Sequence, residues 1–163
     1  MKKWFKLFAF LFIGGLALIV VLKVTNRYIV LDFSKKLKPE PYNFTSGDTI
    51  QPLSKYNFSN GRWKSYVIMS SNDIINIPSS LKSARCLVTE DTFILKEMQK
   101  KWRFIFAGGD MATIESKLYL YKDRELVFKC GIVLDTANQG LQSSEFGWVK
   151  AENEEILNSV ERL

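Results

Sequence analysis

Residues 102–134 read WRFIFAGGDMATIESKLYLYKDRELVFKCGIVL, and this stretch decides the fold class. Trp102 to Ala107 is rich in aromatic and branched side chains, the composition of a strand. Gly108-Gly109-Asp110 supplies turn residues. Thr113 to Tyr121 is a second strand, Lys122-Asp123-Arg124-Glu125 a second turn, and Leu126 to Leu134 a third strand. Short connections between such runs predict an antiparallel meander. Leu118 and Leu120 share one face and Tyr119 and Tyr121 the other, because side chains alternate across a strand. The apolar run Val127 to Leu134 predicts a central strand.

Working upstream, Trp63 to Met69 reads as a strand, and Ile74 to Ile77 as a shorter one stopped by Pro78. Ala84 to Val88 is a further strand. Thr89 is placed to cap a helix over Glu90 to Lys100, with Glu90 and Asp91 in its first turn, where carboxylates favour the helix dipole. Downstream, Asp135 to Glu145 reads as a polar loop, and Phe146 to Val149 returns to the core. Asn153 caps a final helix that begins with Glu154 and Glu155 and carries Ile156, Leu157, Val160 and Leu163 on one face. The expectation is an α+β domain over residues 62–163, with about five antiparallel strands and one or two packed helices.

The N-terminal end has a different character. Residues 4–24 read WFKLFAFLFIGGLALIVVLKV, and Leu7 to Leu22 contains no charge. About 20 largely apolar residues are needed to cross a bilayer. Lys6 and Lys23 lengthen the apolar core by snorkelling. Lys2, Lys3 and Trp4 on one side, and Lys23, Arg27 and Tyr28 on the other, are the flanks expected at the two interfaces. A cleaved signal peptide has the same basic start, but no small-x-small site follows the apolar run here. The reading is therefore a signal-anchor helix over 4–24 in contact with the lipid bilayer, after a short cytoplasmic N-terminus at 1–3. The domain then lies on the periplasmic side of a bacterial inner membrane. Residues 25–61 hold three of the four prolines and read as a tether. Its aromatic residues, Tyr42, Phe44, Tyr56 and Phe58, are expected to pack in part on the domain.

The net charge of +6 follows the same division. Without Lys2, Lys3, Lys6 and Lys23 the chain holds 19 basic against 17 acidic residues, so the charge belongs mainly to the membrane flanks. No basic stripe with stacking aromatics argues for nucleic acid. With no histidine, His triads, His general bases and mixed His zinc sites are excluded, and no cofactor or metal is expected. Cys86 and Cys130 are a possible disulfide in an oxidising compartment.

No catalytic motif is present. Gly108-Gly109-Asp110 lacks both the Walker and the Rossmann pattern and reads as a turn. Asp110, Glu115, Asp135 and Glu145 are the carboxylates nearest to turns, and a glycan hydrolase would need two of them to converge. Gln142, Glu145 and Trp148 lie in a flexible stretch with an aromatic anchor, the candidates for partner binding. Trp148 is also expected to lie under the final helix. From Gln139 onward five acids stand against two bases, mostly on the solvated face of that helix. The functional expectation is a noncatalytic, membrane-tethered protein-binding module, either an envelope-complex subunit or a toxin-neutralising immunity protein. The alternatives are a membrane-anchored hydrolase using paired carboxylates and a small oligomeric structural subunit.

Overall fold

A computed structural model of the protein describes residues 2–25, 43–73, 77–108 and 114–163. The chain divides into two units, Met1–Phe33 and Ser34–Leu163. The first contains one helix, α1 (Lys2–Val24). At 1.5 Å per residue it is about 34 Å long. Its stretch Lys6–Val24 is long and apolar enough to cross a membrane, a property that signal sequences share. Apolar side chains are exposed all around it, as suits a helix solvated by lipid. Thr25 ends it, its hydroxyl donating to the Val21 carbonyl at 2.7 Å. Of the flanks, Trp4 and Lys23 are exposed, while Arg27 and Tyr28 lie outside the described residues.

The second unit is α+β. Its elements are β1 (Thr49–Ile50), β2 (Trp63–Ile68), β3 (Cys86–Thr89), α2 (Thr92–Lys101), β4 (Phe104–Gly108), β5 (Lys117–Lys122), β6 (Glu125–Leu134), β7 (Gln139–Ser143), β8 (Gly147–Ala151) and α3 (Glu155–Val160). The strands form one antiparallel sheet in the order β1-β4-β8-β7-β6-β5-β2-β3. Among the described residues eight strands are present, where the sequence suggests about five.

The β5–β6 hairpin forms as expected. Its turn residues Asp123 and Arg124 have φ values of 50° and 75°, the left-handed geometry of a two-residue hairpin loop. Asp123 holds that geometry through its neighbours. Its carboxylate accepts from the Arg62 N–H at 2.9 Å, and its own N–H donates to the Arg62 carbonyl at 2.8 Å.

The hairpin predicted between β4 and β5 does not exist. β4 pairs with β1 and β8, whereas β5 pairs with β2 and β6. A bulge between Phe106 and Gly108 ends β4 against Trp148, with Gly108 at φ 96°. Such a bulge bends the strand and terminates pairing. Strands β4 and β5 stand four strand spacings apart in the sheet, roughly 19 Å. Gly109 and Asp110 of the expected turn lie outside the described residues, as do residues 74–76 of the expected short strand.

Three further expectations change. The polar loop at 135–145 contains β7, whose Gln139, Gly140 and Leu141 are all buried. Helix α2 begins at Thr92 rather than Glu90. Its cap is Asp91, which accepts from the Phe93 N–H at 2.8 Å, while Thr89 accepts from the Asp91 N–H. Helix α3 begins at Glu155 with Glu154 as its N-cap, which makes no side-chain cap bond, so the cap lies one residue beyond the expected Asn153; Asn153 accepts from the Glu155 N–H at 3.1 Å in the turn before it.

One face of the sheet carries the core. Val67, Leu118, Leu120, Phe128, Ile132, Leu141 and Val149 point into it, together with Leu95 and Met98 of α2 and Ile156 and Val160 of α3. Trp102 Nε1 donates to Ser159 Oγ at 3.1 Å and ties the end of α2 to α3. The segment after β1 crosses this same side. Ile50, Leu53 and Phe58 are buried in the core. Gln99 Nε2 holds the segment by donating to the carbonyls of Leu53 and Tyr56, and the Tyr56 hydroxyl donates to the Val127 carbonyl at 2.9 Å.

Candidate functional site

The opposite face of the sheet carries different chemistry. Strand alternation assigns it Lys64 and Tyr66 from β2, Lys117, Tyr119 and Tyr121 from β5, and Lys129 from β6. Registry brings them together, with Tyr66 opposite Tyr119, Lys64 opposite Tyr121, and Lys129 opposite Tyr119. The Tyr66 and Tyr121 rings meet edge to face, with centroids 5.7 Å apart. The Lys64 ammonium lies 5.3 Å from the Tyr66 centroid and the Lys129 ammonium 5.3 Å from that of Tyr119. These are cation–π distances. Each ring thus fixes a lysine, and the lysine gives the ring a positive rim.

Every charged residue that a described strand places on this face is a lysine, Lys150 of β8 being the fourth. Carboxylates stand at the margins. Glu90, just past β3, meets Lys64 Nζ at 2.7 Å. That contact holds the Lys64 ammonium above its ordinary range and the Glu90 carboxyl below its own. Glu115, just before β5, accepts from the Ser70 hydroxyl and the Asn72 amide. Those two bonds hold its carboxyl below the usual range. A general acid needs the opposite displacement.

The structure separates the residues that the sequence grouped as partner-binding. Gln142 and Trp148 are cross-strand neighbours on this second face. Trp148 is only 6% exposed, but it lies on the side of the sheet away from α3 and not under it. A Cβ on Gly140 would meet its ring at 2.3 Å, so the indole lies flat across β7 where that strand has no side chain. Glu145 is in the β7–β8 turn and pairs with Lys55 at 3.1 Å, next to the core-side segment. Asp135 accepts from the Ala137 N–H within its own loop at 2.7 Å. Asp110 lies outside the described residues, and among those described no three Asp, Glu or Cys side chains form a metal cluster.

Cys86 and Cys130 are both free thiols. They lie on β3 and β6, three strand spacings apart, or about 14 Å. A disulfide spans Cα atoms less than about 7 Å apart, so strand order does not bring the two thiols of one chain within reach of the possible bond. Burial raises both thiols above their ordinary range, most strongly Cys130, which suits packing and not nucleophilic chemistry.

Sequence reasoning had singled out none of the lysine–tyrosine cluster as a site. Its signal was present in the alternation Lys64-Ser65-Tyr66 and Lys117-Leu118-Tyr119-Leu120-Tyr121. No family model, curated protein or solved structure matches the chain.

Proposed function

We propose that this chain is a noncatalytic protein-binding module, tethered by α1 on the periplasmic side of a bacterial inner membrane. Its partner docks through an acidic surface onto the lysine–tyrosine face of β2, β5 and β6. The observation that carries the reading is that face itself, where three tyrosines and two lysines share cation–π and edge-to-face contacts. The half-buried Tyr66 and Tyr121 supply rigid contact area at low entropic cost, while the buried Tyr119 holds Lys129 in place beneath them. Lysines of one sign select a partner of the other and speed its encounter. The basic residues Lys2, Lys3 and Lys6 at the start of α1 favour a cytoplasmic N-terminus, and anchoring raises the local concentration of the module beside membrane partners. An envelope-complex subunit and a toxin-neutralising immunity protein both satisfy these features. The lowered Glu115 carboxyl and the ion-paired Glu145 give the hydrolase alternative no support.

The test uses the full chain in cells, with a photoreactive phenylalanine analogue at position 66. The expected result is a discrete adduct with one acidic envelope protein. Lys64→Glu with Lys129→Glu should reduce it at least tenfold without moving the thermal midpoint. An adduct that survives this charge reversal, or none from position 66 or 121, overturns the proposal.

A further inference from the structure

Among the described residues strand β3 is an edge of the sheet and pairs only with β2. The phase of that ladder follows from one bond, the Met69 N–H donating to the Arg85 carbonyl at 2.9 Å. Residues facing each other in an antiparallel ladder alternate between hydrogen-bonded and non-bonded pairs. The Val67–Leu87 and Ser65–Thr89 pairs are therefore bonded. Cys86 and Val88 point their N–H and C=O groups the other way, toward the open side. Among the described residues no hydrogen bond reaches those outward groups. The strand has no proline and no lysine to blunt it, and Val88 is 42% exposed. The opposite edge, β1, is only two residues long. Proteins usually protect an edge of this kind.

The charge flanking β3 indicates what covers it. Lys82 and Arg85 precede the strand, and Glu90 and Asp91 follow it. An antiparallel neighbour with the same sequence sets each end of one sign against the end of the other. We infer that β3 pairs with β3 of a second copy of this chain about a two-fold axis at Val88. In this register Val88 faces Val88 of the second copy, Cys86 faces Glu90, and Arg85 faces Asp91. Each bonded pair joins outward groups to outward groups, as the ladder phase requires. The two exposed valines cover each other, a favourable cross-strand pair. The lysine–tyrosine faces, which lie on the strands next to β3, become one continuous surface across the axis.

The test measures the mass of the full-length protein in detergent by light scattering. Two copies per particle are expected for the wild type and one for Val88→Lys. Lysine at this exposed edge position leaves the β2 ladder intact, which an unchanged unfolding midpoint verifies. A second readout fixes the register. Facing bonded residues have Cα atoms about 5.5 Å apart. That is within disulfide range. Val88→Cys in a Cys86→Ser background should cross-link on mild oxidation, and Phe93→Cys in the same background should not. Lys129→Glu, which disables the proposed acidic partner site, should leave the mass unchanged, so the two ideas fail separately. A monomeric wild type, a Val88→Lys protein that stays dimeric, or equal cross-linking from position 93 would each overturn the inference.

Discussion

Replacing Gly140 with alanine is the sharpest probe of how this sheet is built. The added Cβ would stand 2.3 Å from the Trp148 ring and 2.4 Å from the Val149 carbonyl oxygen. Two responses are open to the protein. Trp148 can leave its site, losing burial of about 150–250 Å². At about 25 cal/mol per Å² that costs roughly 4–6 kcal/mol as an upper bound. Alternatively β7 and β8 can shift apart, an overpacking strain of about 1–3 kcal/mol. The cheaper response prevails. Because one clash is with backbone, which no side-chain rotation relieves, the cost should lie near the top of that range, about 3 kcal/mol. Urea unfolding of the full chain in mild detergent, followed by tryptophan fluorescence, measures it. With an m-value of about 1–3 kcal/mol/M, the midpoint should fall by at least roughly 1 M. Gly131→Ala is the control, since its Cβ would meet the movable Ile114 side chain at 3.1 Å. Equal midpoints for the two variants would refute the argument that Gly140 exists to seat Trp148.

Other outcomes follow from the same structure. Asp91→Ala removes the cap of α2 and should cost about 1 kcal/mol, seen as a drop of a few degrees in the thermal midpoint. Ser65 carries a buried hydroxyl with no hydrogen-bond partner, so Ser65→Ala should be neutral or stabilising by up to about 1 kcal/mol in urea unfolding. Glu115 has a lowered carboxyl, so its stabilising contribution is present above the ordinary carboxylate range and is lost as pH falls through the lower folded value. Glu115→Gln should therefore unfold earlier than wild type at pH 7, and the gap should close in acid. A gap that widens on acidification would contradict the Ser70 and Asn72 hydrogen bonds.

The sequence was most informative where structure is local. Asp123-Arg124 announced the β5–β6 hairpin, the spacing of Ile156, Leu157 and Val160 announced α3, and an uncharged apolar run announced α1. It misled where the partner is distant in sequence. Gly108-Gly109-Asp110 has turn chemistry, but turn residues do not say which strand comes next in the sheet. Phe104 and Phe106 were placed by β8, over forty positions later. Gly140 reads as a breaker, because a missing side chain looks like a loop until the indole that fills the space is known. The lysine–tyrosine cluster was half legible. Tyr119 and Tyr121 visibly share a face, but only registry with β2 brings Tyr66 and Lys64 beside them. Gln142, Glu145 and Trp148 are close in sequence, but the tight turn between β7 and β8 sets Gln142 beside Trp148 and leaves Glu145 apart, paired with Lys55.

The strand order also dictates a timetable for synthesis. The run β5-β6-β7-β8 is sequentially adjacent and can zip as it emerges. Strand β4 is made earlier, yet its neighbour β8 ends at Ala151. β1 depends in turn on β4. The apolar residues of β1, α2 and β4 must therefore wait, exposed, until β8 has been produced. A chain arrested before Gly147 should remain protease-sensitive over β1 and over α2 and β4, while β2 and β3, whose partner β5 is already made, should be protected. A chain that includes β8 should become resistant at all of these positions. Strand β8 thus decides whether β1 and β4, made long before it, ever join the sheet.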